Sequence, residues 1–375
     1  MILLGWFLLG VFAVITAVRI GLAVRFWRPP VAGPEPVVIV LQPILSGDPA
    51  LSADLQSNLD SHPQARFRWL VDEADPEGVQ VTTALASGST TQVQVLQFGA
   101  APATCNPKVF KLARAVRPGD GLVAVLDDDT VLPPGALARA AEALRNGGDL
   151  VTGMPYYLAG HTVWSRLVAG FVNGSALITY LPLLAAGPPV TINGMFYLTT
   201  GNALARAGGF GAIEEFVCDD YELALRYRRT GQRLVQAAIP HQVRTTVPDA
   251  ATYRRLMRRW MVFTGRQLRA ELSLPTVLLL VVPGVLPHLA LLLAAFGWSW
   301  TLALATLLAM TTKAAAMAVL RARLLGTAES ATAVGWEVLA DLLQPIHAAG
   351  SLLWPGRIVW RAKPMRLDRS GRVQP

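Results

Sequence analysis

Two long apolar stretches without charge constrain the fold more than any other feature of this sequence. Residues Ile2 to Val18 contain no Asp, Glu, Lys or Arg, and neither do residues Leu272 to Thr312. Because a helix rises about 1.5 Å per residue, about 20 apolar residues cross the hydrocarbon core of a bilayer. We therefore predict an N-terminal transmembrane anchor within residues 1–28 and membrane helices within residues 272–356.

The charges beside the first stretch predict its orientation. No Lys or Arg precedes it, whereas Arg19, Arg25 and Arg28 follow near its end. Positive charge favours the cytoplasmic side, so the next domain is expected in the cytoplasm, with Arg19 snorkelling toward the headgroups. A cleaved signal peptide would have a basic start and a shorter apolar run, so we predict a retained anchor.

The second stretch divides at the turn-like segment 296–300 into two spans, about 275–296 and 300–320. A third apolar segment, 332–354, contains Glu337 and Asp341, which are costly in hydrocarbon. It is either a third helix packed against the other two or an interfacial or re-entrant helix. We favour the interfacial interpretation, because a full crossing would put the basic tail, residues 357–375, outside.

The composition excludes several classes of protein. A chain that is 53% hydrophobic and 15% charged is too apolar to be wholly soluble or disordered. The net charge of +8 lies largely beside the apolar segments, including six arginines between Tyr253 and Arg269. This placement favours an anionic lipid surface over nucleic acid. Two cysteines are too few for a disulfide framework or a cysteine-based zinc site.

The moderately polar region between the apolar ends, residues 33–270, has an alternating pattern of strands and helices. Apolar runs of strand length end at Leu41, Val71, Leu96 and Leu126, and helical patterns separate them. This alternation predicts an α/β domain with a mostly parallel sheet, whose ligands bind at the carboxyl ends of the strands. The apolar stretch 163–189 is either an interfacial segment or an ordinary buried helix of this domain.

Carboxylates follow three of the apolar runs. Asp72 follows the second run, and Asp127, Asp128 and Asp129 follow the fourth. In an extended segment Asp127 and Asp129 point to one side, where two carboxylates suit Mg²⁺ or Mn²⁺. The alternative is an acidic turn before a helix, and Asp72 alone is typical of a turn or cap.

The third group of carboxylates is the pair Asp219-Asp220. It is typical of a helix start, where acidic side chains favour the positive end of the helix dipole. The functional interpretation is a general base for a hydroxyl group.

The order of these residues, followed by Arg259-Trp260 before the membrane spans, resembles the spaced-aspartate pattern of family 2-type glycosyltransferases, which ends in Q/R-x-x-R-W. It is more closely similar to the ceramide glucosyltransferase family (family 21) and its bacterial relatives, which include hopanoid-modifying enzymes. The closer likeness is carried by Gln42 to Leu51, Asn106-Pro107-Lys108-Val109, Thr200 to Phe210 and Val359-Trp360-Arg361.

The resemblance implies a GT-A fold and inverting, metal-dependent transfer of a hexose from a UDP-sugar to a lipid hydroxyl, at a bacterial inner or plasma membrane. It assigns Asp72 to the uridine end of the donor and Lys108 to the phosphate side. It places Asp127 and Asp129 at an Mg²⁺ or Mn²⁺ site and makes Asp220 the catalytic base. Arg259 and Trp260 match the element near the diphosphate and the acceptor entry.

Some residues depart from the family pattern. Leu256 stands where Gln or Arg is usual, Gln42 replaces Lys, and Asp219 replaces the Glu before the base. The Asp127–Asp129 triplet is also more acidic than the usual form. These differences argue against assuming the family's acceptor, and ceramide, diacylglycerol, a hopanoid and a sterol-like alcohol remain open. The alternative enzyme is a sugar transferase whose acceptor is a polyprenyl phosphate. A non-enzymatic nucleotide-sugar-binding membrane protein is the alternative from another class.

Overall fold

The computed structural model describes residues 1–327, 329–353, 357–360, 363–368 and 370–374. These residues form two compact units. The helical unit comprises Met1–Trp27, Ala159–Gly187 and Val247–Leu353, and the sheet unit comprises Arg28–Leu158, Pro188–Thr246 and the described residues after 353. Residues 159–187 and 247–270, which we placed in the α/β domain from sequence, thus cluster with the membrane-type helices.

The helices are numbered along the chain, and a short 3₁₀ turn, Phe210–Ile213, follows the eighth. A π-helical turn, Val277–Val281, joins the eleventh to the twelfth. Their bounds are α1 Ile2–Phe26, α2 Leu51–Ser61, α3 Pro76–Gly88, α4 Pro107–Ala115, α5 Ala136–Arg145, α6 Val163–Asn173, α7 Leu177–Leu183, α8 Gly201–Arg206, α9 Asp219–Arg229, α10 Ala250–Ala270, α11 Leu274–Thr276, α12 Val282–Phe296, α13 Trp300–Leu325 and α14 Ala331–Leu353.

The sheet unit contains a large sheet whose strands follow the order β3-β2-β1-β4-β7-β6-β8-β5. Only β7 and β5 run against the other six, so the predicted α/β class with a mostly parallel sheet is confirmed. The strands are β1 Val38–Pro43, β2 Arg66–Asp72, β3 Gln92–Phe98, β4 Leu122–Leu126, β5 Thr130–Val131, β6 Leu150–Tyr157, β7 Phe196–Thr200 and β8 Leu234–Val243.

Both faces of this sheet are covered by helices, which explains the continuous apolar runs in its central strands. Successive strand residues point to opposite faces. Val40 packs in one core with Leu137 of α5, whereas Leu41 packs in the other with Leu112 of α4. The two cores fix the sheet register and leave the strand ends to carry polar side chains.

Among the described residues of the helical unit, three helices are long and apolar enough to cross a membrane. They are α1, the continuous segment Leu274–Phe296, and α13. They coincide with the predicted anchor and the two predicted C-terminal spans. The third predicted segment forms α14, which packs against α6, α10 and α13. Residues 354–356, the end of the predicted membrane region, lie outside the described residues.

Buried ionic groups connect the helices of this unit. The Arg321 guanidinium pairs with Glu329 and Glu337 and donates to the Asn173 carbonyl at 2.6 Å. Arg19, expected to snorkel, is instead 7% exposed and donates to the Ile178 carbonyl at 2.8 Å. Helix α7 supplies this acceptor, so the Arg19 side chain is satisfied inside the protein.

We expect Lys313→Met to destabilise the helical unit by about 3 kcal/mol, because it leaves a partly buried carboxylate without its cation. The Lys313 ammonium lies 2.8 Å from the Asp341 carboxylate, and their side chains are 8% and 22% exposed. Unfolding in detergent measures the change. The double variant Lys313→Met/Asp341→Leu should recover most of the loss. A double variant as unstable as the single one would contradict this ion-pair argument.

The basic tail forms a second, small sheet in the sheet unit. Its strands are β9 Arg357–Trp360, β10 Lys363–Leu367 and β11 Val373–Gln374, and β10 pairs antiparallel with both others. Arg361, the last residue of the family-like ending, lies outside the described residues. The segment after the last long helix is thus folded as part of the sheet unit.

Candidate active site

The carboxylates that follow the strands meet at one edge of the large sheet. Asp72 is the last residue of β2, and Asp127 directly follows β4. The start of β7 lies beside the end of β4, and the Asp127 amide donates to the Met195 carbonyl at 2.9 Å. The segment before β7 therefore forms one wall of the site.

Helix α4 brings two lysines to this edge. Asn106 caps it by accepting from the amides of Lys108 and Val109, and Pro107 occupies its first turn. The Lys108 ammonium lies 2.6 Å from Asp127 Oδ1 and 3.6 Å from Asp219 Oδ2, and the Lys111 ammonium lies 3.1 Å from Asp72 Oδ2. Helix α4 thus supplies one cation to Asp127 and Asp219 and another to Asp72.

Lys108 is buried and nevertheless charged. Burial by itself would lower its pKa, but Asp127 and Asp219 outweigh burial and raise the pKa above its usual value. Lys108 also donates to the Gly194 carbonyl at 3.1 Å. It therefore ties together three segments of the site, those of Asp127, Gly194 and Asp219.

The three consecutive aspartates point to different partners. Asp127 faces Lys108, whereas Asp128 Oδ2 accepts from the Leu45 amide at 2.7 Å. Asp129 Oδ2 accepts from the Thr245 hydroxyl at 2.5 Å. Asp128 and Asp129 lie in a turn between β4 and β5, so strand alternation does not set the directions of their side chains, and Asp128 has a structural partner in the loop after β1.

The surroundings of Asp129 disfavour its charged form. Burial raises its pKa to about 7, and the charges of Asp128 and Asp127 add to this rise. Among the described residues no group of three or more His, Cys, Asp or Glu side chains is arranged to hold a metal. Two carboxylates with phosphate oxygens from a substrate do suit Mg²⁺ or Mn²⁺, so Asp127 and Asp129 fit a cation that a bound diphosphate would share.

The second acidic pair opens α9. Burial raises the pKa of Asp219 to about 6 even though the Lys108 ammonium opposes the rise. Burial likewise raises the pKa of Asp220. A carboxylate whose pKa is shifted toward neutrality is a stronger base, which suits proton abstraction.

The Asp220 carboxylate is held by one oxygen. Its Oδ1 accepts from the Tyr221 amide at 2.7 Å and from the Cys218 thiol at 3.2 Å. Burial raises the pKa of Cys218 well above its usual value, so the thiol keeps its proton and donates. A Cβ at Gly194 would lie 3.2 Å from Asp220 Oδ2. Glycine at this position therefore leaves space beside the second oxygen.

Several residues that shape the site are not among the predicted ones. Lys111 could have been found, because it lies one helical turn from Lys108 and so on the same face of α4. Cys218, Gly194 and Thr245 carry no comparable signal. The other predicted residues, Arg259 and Trp260, belong to α10 in the helical unit, where the Trp260 ring stacks on Phe171 with centroids 6.1 Å apart. The remaining predicted site residues come together in the sheet unit.

We expect Lys111→Met to raise the KM for the donor about tenfold with little change in kcat, since the resemblance assigns Asp72, the partner of Lys111, to donor binding. Lys111 is fully buried and the Asp72 side chain is 28% exposed, so solvent replaces the lost charge only in part. Steady-state kinetics with varied donor measures both constants, and Lys111→Arg serves as the charge-conserving control. A fall in kcat at unchanged KM would assign the pair to the chemical step instead.

A mostly parallel α/β sheet with carboxylates at its strand ends, joined in one chain to membrane-type helices, is the architecture of a membrane glycosyltransferase with the GT-A fold. The family can be stated more closely. The chain belongs to glycosyl transferase family 21, and the sequence model of this family matches residues 6–373. The predicted family and GT-A fold are thereby confirmed.

Solved structures of low identity resemble the chain over much of its length. The mannosyltransferase PcManGT from Pyrobaculum calidifontis, in complex with GDP-Man and Mn²⁺, is 17% identical with a TM-score of 0.48, covering 92% of this chain and 99% of its own. TarS residues 1–349 from S. aureus, in complex with UDP-GlcNAc, is 11% identical with a TM-score of 0.41, covering 91% and 99%. No curated protein matches the sequence.

Proposed function

We propose that this enzyme transfers a hexose from a UDP-sugar to the hydroxyl group of a ceramide-like membrane lipid, with inversion at the anomeric carbon. The observation that carries the proposal is the Asp220 carboxylate, which is buried, has a raised pKa, and is fixed by one oxygen while the other lies beside Gly194. This is the arrangement that a base for a neutral hydroxyl requires.

The proposed reaction is a single displacement. Asp220 takes the proton of the lipid hydroxyl while that oxygen attacks the anomeric carbon and the bond to the β-phosphate oxygen breaks. UDP leaves with the bonding electron pair. Because one displacement inverts the centre, an α-linked donor gives a β-linked glycolipid.

The donor side of the site would position the nucleotide and its diphosphate. We propose that Asp72, oriented by Lys111, contacts the uridine end and that Lys108 keeps the carboxylates around it ionised and fixed. Asp127 and Asp129 would hold Mg²⁺ or Mn²⁺, which, when bound, stabilises negative charge on the departing diphosphate. Arg259 and Trp260 remain predictions from the resemblance.

Membrane helices are consistent with a lipid acceptor. The reactive hydroxyl of such a lipid lies at the headgroup level and does not diffuse into water. Three helices of spanning length would keep the enzyme at this surface. The charges flanking α1 support a multi-pass protein with the catalytic carboxylates in the cytoplasm.

The decisive experiment supplies purified enzyme with a UDP-sugar, lipid extract and Mn²⁺ or Mg²⁺. UDP release should depend on the lipid and on the cation, and chelation with EDTA should abolish it. Mass spectrometry should show the sugar on a lipid hydroxyl. A sugar found on a polyprenyl phosphate would replace the proposed acceptor, and donor binding without turnover would indicate a binding protein.

A further inference from the structure

The segment that leads into Asp219 and Asp220, residues 214–218, is held on one side by Asn106. The Asn106 amide donates to the Glu214 carbonyl at 2.6 Å, and its side chain donates to the Phe216 carbonyl at 3.1 Å. The same Asn106 side chain caps α4, which carries Lys108. The spacing between Lys108 and the acidic pair is therefore set through this segment.

The other side of the segment is held by the C-terminal strand. The Val373 amide donates to the Glu215 carbonyl at 2.8 Å, and the Val217 amide donates to the Gly371 carbonyl at 3.3 Å. Between these bonds Phe216 and Arg372 form an antiparallel bridge. The C-terminal strand thus provides backbone partners for a segment that belongs to none of the eight strands of the large sheet.

Side chains reinforce this pairing. The Arg372 guanidinium lies 5.2 Å from the centre of the Phe216 ring and 3.6 Å from the Glu215 carboxylate. Val373 is only 6% exposed. Backbone pairing combined with burial is what distinguishes a fixed strand from a frayed terminus.

The turn before the C-terminal strand is held by hydrogen bonds to the Asp368 side chain. Asp368 Oδ1 accepts from the amides of Ser370, Gly371 and Arg372 at 2.8, 2.8 and 3.0 Å. Gly371 has φ of 96°, a conformation that disfavours other residues. The chain is thereby directed into the pairing with residues 215–217.

We propose that residues 371–373 are a positioning element of the active site, which fixes the start of α9 and so the placement of Asp219 and Asp220. The proposal rests on the proposed transfer reaction for its kinetic consequence. The strand touches no reacting group. It acts by supplying the backbone partners that keep the segment before α9 in one conformation.

Val373→Pro tests the element in the full-length, membrane-inserted enzyme, because proline removes the amide that donates to Glu215. Cys218 reports on the segment itself, and a Cys105→Ser background leaves it as the only thiol in the sequence. We expect Cys218 alkylation to accelerate about tenfold as the segment opens locally. Gln374→Ala, an exposed change in the same strand, should alkylate at the parent rate.

The kinetic test separates positioning from general folding. We expect Val373→Pro to lower kcat about tenfold while UDP affinity stays within about twofold, since small misplacements of catalytic groups mainly affect the chemical step. Gln374→Ala, which leaves residues 371–373 unchanged, should keep the parent kcat.

Unchanged Cys218 alkylation, unchanged kcat, or a parallel loss of UDP binding would each overturn the proposal. If the proposed function is wrong, the parent enzyme itself will show no lipid-dependent UDP release. The Cys218 alkylation rates would then still test whether residues 371–373 fix the segment before α9.

Discussion

Replacing Asp220 by Asn should lower kcat by about 10²–10⁴-fold and leave UDP binding nearly unchanged. The amide matches the carboxylate in shape but cannot take a proton. The Tyr221 amide and the Cys218 thiol donate to the wild-type side chain, and an Asn oxygen can accept from both. The substitution therefore removes the base and preserves the geometry of the start of α9.

Lipid-dependent UDP release at saturating donor measures this effect, and nucleotide titration checks binding. Glu222→Gln is a matched control, because Glu222 lies in the first turn of the same helix and pairs with Arg226. Near-normal turnover of Asp220→Asn would eliminate the base assignment. It would favour an acceptor that is already anionic, such as a polyprenyl phosphate.

Lys108→Met should have the second large effect, a loss of about 3–5 kcal/mol in unfolding free energy together with nearly all activity. Lys108 is 7% exposed, and its ammonium lies between Asp127 and Asp219. Without it these carboxylates repel each other away from water. They must then take up protons or separate, and either change removes the arrangement around Asp220.

Chemical unfolding in detergent measures the loss of stability, and lipid-dependent UDP release measures the loss of activity. Lys108→Arg tests whether charge alone suffices, and we expect it to recover stability better than activity, because a planar guanidinium cannot replace a compact ammonium. Lys111→Met removes the neighbouring lysine of α4 and serves as a second control for the effect of Lys108→Met. A stable, active Lys108→Met enzyme would show that the surrounding carboxylates do not depend on this cation.

The α/β class and the edge that carries the site could be predicted because both depend on local patterns. Buried parallel strands give β-branched apolar runs, and the rule on strand ends then selects Asp72 and Asp127, whereas Asp220 opens helix α9. The pairings around these residues could not be predicted. Asp129 bonds to Thr245 across 116 residues of chain, and no periodicity encodes such a contact.

The division into units was also beyond the sequence. An amphipathic helix shows which of its faces is buried but not which partner covers it. Residues 159–187 and α10 therefore looked like parts of the α/β domain, although they cluster with the membrane-type helices. The pairing of residues 371–373 with residues 215–217 is hidden for the same reason, since a two-residue strand has almost no pattern.

The folding of residues 371–373 into the sheet unit limits how often the chain between the two parts of that unit can cross a membrane. Residues Pro188–Thr246 and the described residues after 356 belong to one compact unit, so we expect them on the same face of a bilayer. The chain between them would then cross an even number of times, and the segments Leu274–Phe296 and Trp300–Leu325 are long and apolar enough for two crossings. We therefore expect helix α14 to begin and end on one face, so that Glu337 and Asp341 stay out of the hydrocarbon.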